Sequence, residues 1–139
     1  MVNMKFDRRI AMLLVGGAAV GGLAPASAQE ALTADMLVGV WRGVVSVGGT
    51  EIGGEVLFQP NGTFRRTNWW NGLMTWASGP FTIARNWVHF EVDAYGPEIY
   101  LNQPMPRPPS ETWMVDFFDG RMIEGRIGDS AAIRFERIG

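Results

Sequence analysis

The spacing of turn signals constrains this chain more than any other feature. From Gly48 onward, "GG", "PNG", "NG", "RN", "DG" and "GDS" separate apolar stretches of strand length. Asn and Gly tolerate the positive φ of tight hairpins, so each signal marks a reversal between antiparallel strands. Between signals the pattern has period two. In "TEIGGEVLFQ" (Thr50 to Gln59), Ile52, Gly54, Val56 and Phe58 share one side, against Glu51, Gly53, Glu55 and Gln59, with Leu57 the exception. In "WVHFEVDAY", Val88, Phe90, Val92 and Ala94 oppose His89, Glu91 and Asp93. Such alternation marks half-buried strands. "LVGVWRGVVSV", "TFRRTNW", "GPFTIA", "ETWMVDFF", "RMIEGRI" and "AAIRFERI" complete a set of seven to eight. No long segment has a 3.6-residue period, which excludes βαβ units. The one helical candidate is a short turn in "LTADML", with Thr33 placed to cap it. The expected fold is all-β, an antiparallel up-and-down meander.

The amino end reads as a segment apart. Lys5, Arg8 and Arg9 precede the apolar run Ile10 to Pro25, followed by small residues at Ala26 and Ala28. This is the pattern of a cleavable signal peptide over residues 1–28, and Arg8-Arg9 also fits the twin-arginine type. The run carries four glycines and falls short of the ~20 strongly apolar residues of a membrane span. The expected product is periplasmic or secreted, with no stable membrane anchor after cleavage.

Residues 29–139 then form one domain. They contain nine arginines, thirteen acidic residues and no lysine, a balance of −4 that lacks the basic footprint of a nucleic-acid binder. Without cysteine there is no disulfide, thiol nucleophile or lipidated cysteine. Stability must come from a core, and a chain of this length buries roughly 65% of its unfolded surface.

A meander of this strand number disposes of its edges by closing into a barrel. "TADMLVGVWRG" (Thr33 to Gly43) resembles the opening of lipocalins and their calycin relatives, a helical turn followed by Gly39-x-Trp41. "F-x-P-N-G-T-F" (Phe58 to Phe64) is similar to a pattern of small bacterial lipocalin-like domains. The resemblance implies a small closed barrel in which Trp41 closes the floor and a basic residue of the last strand, Arg137 or Arg134, packs over it. Arg137 shares parity with Ile133 and Phe135 and is preferred. The chain is shorter than most lipocalins, and their middle motif is not recognisable. A half-open meander and an avidin-like barrel are the alternatives.

Chemistry-bearing residues are sparse. His89 is the only histidine and lies on the polar side of its strand, without a G-x-S-x-G elbow. Glu51 with Glu55, and Glu91 with Asp93, share strand faces, as solvated surfaces commonly do. No metal, cofactor or catalytic set is expected. The concentrated feature is "FRRTNWWNGLMTW" (Phe64 to Trp76). If Phe64 faces inward, so do Arg66 and Asn68, and a guanidinium inside a barrel needs a partner or water. Opposite parity, or a β-bulge before Trp69, would put Arg66 outside. Trp69 and Trp70 must face opposite sides, and Asn71-Gly72 places them near a rim with Trp76.

Rim tryptophans cover a barrel end, stack on a ligand or meet a partner. The proline-rich stretch Tyr95 to Trp113 is a lid or a strap. The first functional expectation is non-enzymatic binding of a small hydrophobic or amphipathic ligand at the mouth, through Arg66, Asn68, Trp69, Trp70, Trp76 and Tyr95. The alternative is a protein-interaction or inhibitor module of the cell envelope that uses the same rim and loop. Catalysis ranks third. A continuous cavity above the floor favours the ligand, whereas a lumen filled by Phe58, Phe90, Val92 and Phe117 favours the partner.

Overall fold

A computed structural model of the chain describes residues 31–139. The expected signal peptide over residues 1–28 lies outside them. The described elements run α1 (Ala34–Leu37), β1 (Gly39–Val47), β2 (Thr50–Phe58), β3 (Thr63–Trp70), β4 (Leu73–Ala84), β5 (Trp87–Phe90), β6 (Ala94–Gly96), β7 (Ile99–Tyr100), β8 (Gln103–Pro104), β9 (Glu111–Phe118), β10 (Met122–Ile127) and β11 (Ala131–Arg137). Each of the strands β1 to β4 pairs antiparallel with the next, and β6 adds to β4. Strand β5 pairs with β9, which continues through β10 to β11. Strand β11 returns to β1 in a register that sets Arg137 against Trp41 and Ala131 against Val47. The result is a closed, eight-stranded, antiparallel barrel. Closure removes the sheet edges that a meander would otherwise expose.

The reversals follow the turn chemistry. Gly48-Gly49 and Asn71-Gly72 hold positive φ at both positions, with Asn71 at 50°, the conformation that matches hairpin twist. Thr33 has the extended backbone of an N-cap, but its side chain makes no cap bond. Its carbonyl instead accepts from the Met36 N–H at 3.1 Å.

Two bulges change which side chains face inward. Phe81 opposes Phe90 while Ser78 opposes Ala94, so one extra residue sits on the β5–β6 side. Val88, Phe90 and Val92 are buried, but Ala94 is exposed and Tyr95 turns to the interior in its place. The second bulge lies in β9, where Val115 opposes Gly125 and Phe117 opposes Glu124. The extra residue, Asp116, points outward and receives two bonds from Arg126, at 2.9 and 3.0 Å. Phe117 is therefore 46% exposed and does not fill the lumen. Phe118 goes inward instead, 6.1 Å from the Trp41 ring.

At the floor, Trp41 is fully buried and donates to the Leu37 carbonyl at 2.9 Å. The Arg137 guanidinium lies 4.5 Å from the Trp41 ring centre. It donates to three carbonyls, those of Gly120 at 2.8 Å, Val38 at 2.6 Å and Met36 at 2.7 Å. Gly39, at φ +137°, leaves space for this approach, because a Cβ there would come within 2.5 Å of Arg137 Nη1 and the Gly139 carbonyl oxygen. One guanidinium thus ties the helical turn, the first strand and the β9–β10 turn together.

Candidate binding cavity at the barrel mouth

An eight-stranded barrel encloses a lumen that side chains fill or that holds one small ligand. This lumen is filled at one height and open at another. Above Trp41, Phe58, Phe64, Phe81, Phe90, Trp113 and Phe135 form a continuous aromatic layer, each at most 5% exposed. Phe58–Phe81 and Phe64–Phe90 meet edge to face at 4.9 and 4.8 Å, and Trp113 stacks on Phe135 at 5.2 Å. Such pairs contribute about 0.5–1.5 kcal/mol each beyond their buried area.

Above that layer the lumen opens into a cavity of about 420 Å³. Val45, Val47, Ile52, Leu73, Ile127 and Ala131 make its apolar wall. Arg66, Asn68, Thr75 and Glu111 supply the polar side, with Trp113 beneath and Trp70 at the rim. No bulge interrupts β3, so Phe64, Arg66, Asn68 and Trp70 follow one another up the inner face.

Arg66 is 8% exposed. Its guanidinium carbon lies 5.6 Å from the Phe90 ring centre and 6.0 Å from that of Phe64, directly on the aromatic layer. Its Nη1 donates to Glu111 Oε2 at 2.8 Å. The same oxygen accepts from the indole N–H of Trp113 at 2.9 Å. A buried guanidinium is costly without a counter-charge, and Glu111 supplies it. Asn68 fits because Gly54 faces it without a side chain, since a Cβ there would lie 2.9 Å from Asn68 Nδ2 and 3.4 Å from Phe135. The amide makes one long bond, 3.4 Å, to the Gly53 carbonyl.

The structure brings Arg66, Asn68 and Trp70 together in the cavity and leaves Trp69, Trp76 and Tyr95 out of its wall. Trp69 lies on the outer face over Gly53 and is 41% exposed. Trp76 is also outside, packed on Gly96 with Arg65 stacked 4.4 Å from its ring centre. Tyr95 packs on the core and donates through its hydroxyl to the Met105 carbonyl at 3.0 Å. The proline-rich segment is a strap. It forms the β7–β8 hairpin, and Arg107 donates to the Val92 carbonyl at 2.6 Å. None of residues 97–110 lines the cavity.

Sequence reasoning missed Glu111, although its parity with Trp113 and Val115 on an inward-facing strand was the available signal. His89 is on the outer face, its ring nitrogens 2.7 Å from Thr112 Oγ1 and 2.6 Å from Glu91 Oε2. Among the described residues, no group of three or more His, Asp or Glu side chains gathers as a metal site would require. The chain matches no protein-family model and no curated protein.

Proposed function

We propose that this protein is an exported, lipocalin-like carrier that binds one small, partly apolar molecule at the barrel mouth, without catalysis. The observation that carries the reading is the shape of the lumen, which is packed below Arg66 and open above it. A cavity with apolar walls and a few convergent polar groups is the usual form of a small-molecule site. The Gly39-x-Trp41 opening, the floor stacked under Arg137 and the closed eight-stranded meander support the lipocalin-like part of the reading. The charged and apolar amino-terminal pattern supports export to the periplasm or beyond.

A neutral fluorescent probe, N-phenyl-1-naphthylamine, tests the site. It is expected to bind one per chain, and Val45→Trp, which fills the cavity from β1, is expected to abolish binding while the fold persists by circular dichroism. Unchanged binding in that variant would move the site elsewhere.

One feature favours a second reading. The tip of the β7–β8 hairpin exposes Ile99 at 67% and Leu101 at 77%, and large exposed apolar side chains are typical of contact surfaces. Replacing both with Ser tests it, since a partner-binding protein would lose its partner while the probe still bound.

A further inference from the structure

The polar base of the cavity also limits which molecules fit it. Arg66 is matched by Glu111 within the protein, so the base holds one positive and one negative charge before any ligand arrives. Its hydrogen-bonding capacity is nonetheless incompletely used. Among the described residues, the five N–H donors of Arg66 make a single bond, through Nη1. Glu111 receives both of its bonds at Oε2, which leaves Oε1 without a bond among the described residues. The Glu111 side chain keeps 25% exposure against 10% for that of Arg66, so the carboxylate is the more open of the two.

An entering carboxylate would lie beside the Glu111 charge or have to displace it from Arg66. An entering ammonium would meet the Arg66 charge in the same way. A group that both donates and accepts, and carries no net charge, satisfies both sides at once.

We propose, on the basis of the mouth cavity being a ligand site, that its ligand is a neutral amphiphile. An alcohol or primary amide head sits between Glu111 Oε1 and the unused Arg66 donors, and a short apolar tail lies along Val45, Ile52, Leu73 and Ile127. The cavity of about 420 Å³ sets the size, on the order of fourteen non-hydrogen atoms at about 30 Å³ each. Buried polar groups of this kind select by what they leave unpaired.

Four probes of ten carbons each read the selectivity directly: 1-decanol, decanamide, decanoate and decylammonium, each titrated against the intact protein at pH 7.5 by displacement of N-phenyl-1-naphthylamine. Decanol and decanamide are expected to bind at least about tenfold more tightly than either ion, given the cost of like charges in a desolvated site. Glu111→Gln removes the internal counter-charge, and the decanoate-to-decanol affinity ratio is expected to rise at least about tenfold. Decanoate binding to the wild type as tightly as decanol would overturn the neutral-head assignment while leaving the cavity reading intact. An unchanged ratio in a folded Glu111→Gln would do the same. If the naphthylamine and all four probes fail to bind, the cavity reading itself falls.

Discussion

Two arginines on the inner surface of one barrel have opposite degrees of saturation. Arg137 at the floor makes three hydrogen bonds to carbonyls and stacks on Trp41. Arg66 at the mouth makes one hydrogen bond and rests on Phe64 and Phe90. The surroundings differ in the same sense, with aromatic rings filling the floor half and a cavity above the second guanidinium. Three bonded donors on Arg137 tie separate segments of the fold together, whereas among the described residues Arg66 bonds through Nη1 alone. The tightly packed floor and the open cavity of this domain are thereby separated along the barrel axis.

The separation is broken most directly at the floor. Trp41→Ala removes a fully buried indole and the platform for Arg137, and is expected to cost about 3–5 kcal/mol. Urea denaturation followed by the remaining tryptophans measures this, and a cost below about 1 kcal/mol would mean that the floor is not the stabilising end. Arg137→Met is next, at about 2–3 kcal/mol, because hydrogen bonds from a charged donor to the Met36, Val38 and Gly120 carbonyls are lost together.

The floor was legible in the sequence because each of its parts is local. Gly39 and Trp41 are two residues apart, and Arg137 shares parity with Phe135 on a strand without bulges. The eight-stranded closure was legible for a similar reason, since the turn signals fix strand order and alternation fixes the inner face. The bulged strands and the mouth were less so. Tyr95 takes the inward position expected of Ala94, and Phe118 that of Phe117, because a single inserted residue reverses parity and carries no signal of its own here. Glu111 opens the expected strand "ETWMVDFF", but its ion pair with Arg66, 45 residues away, has no local pattern to mark it. Cavity size was beyond reach, because it depends on how side chains of seven strands pack against one another.

The comparison sharpens when the second arginine is altered. Arg66→Met keeps apolar contact with the aromatic layer and leaves Glu111 its Trp113 bond and access to water. The expected cost is about 1 kcal/mol, less than for Arg137→Met in the same denaturation experiment. Decanol affinity is expected to fall severalfold, since the head loses its donors. A cost equal to that of Arg137→Met would show that Arg66 is structural after all, and would remove the contrast between the two ends.

The smallest effect comes from two adjacent residues that the strand sends to opposite faces. Trp70 lines the cavity at the rim and Trp69 covers Gly53 outside, and they are 51% and 41% exposed. With so much of each ring in water, either change to Ala is expected to shift stability by no more than about 0.5 kcal/mol. Binding should separate them. Covering part of the Trp70 ring with a ligand tail is worth roughly 1 kcal/mol, so Trp70→Ala weakens decanol binding about fivefold. Trp69→Ala leaves it unchanged, because its ring has no access to the lumen. Equal losses in both variants would place the ligand over the rim rather than inside it, and the polar base around Arg66 and Glu111 would then have no part in recognition.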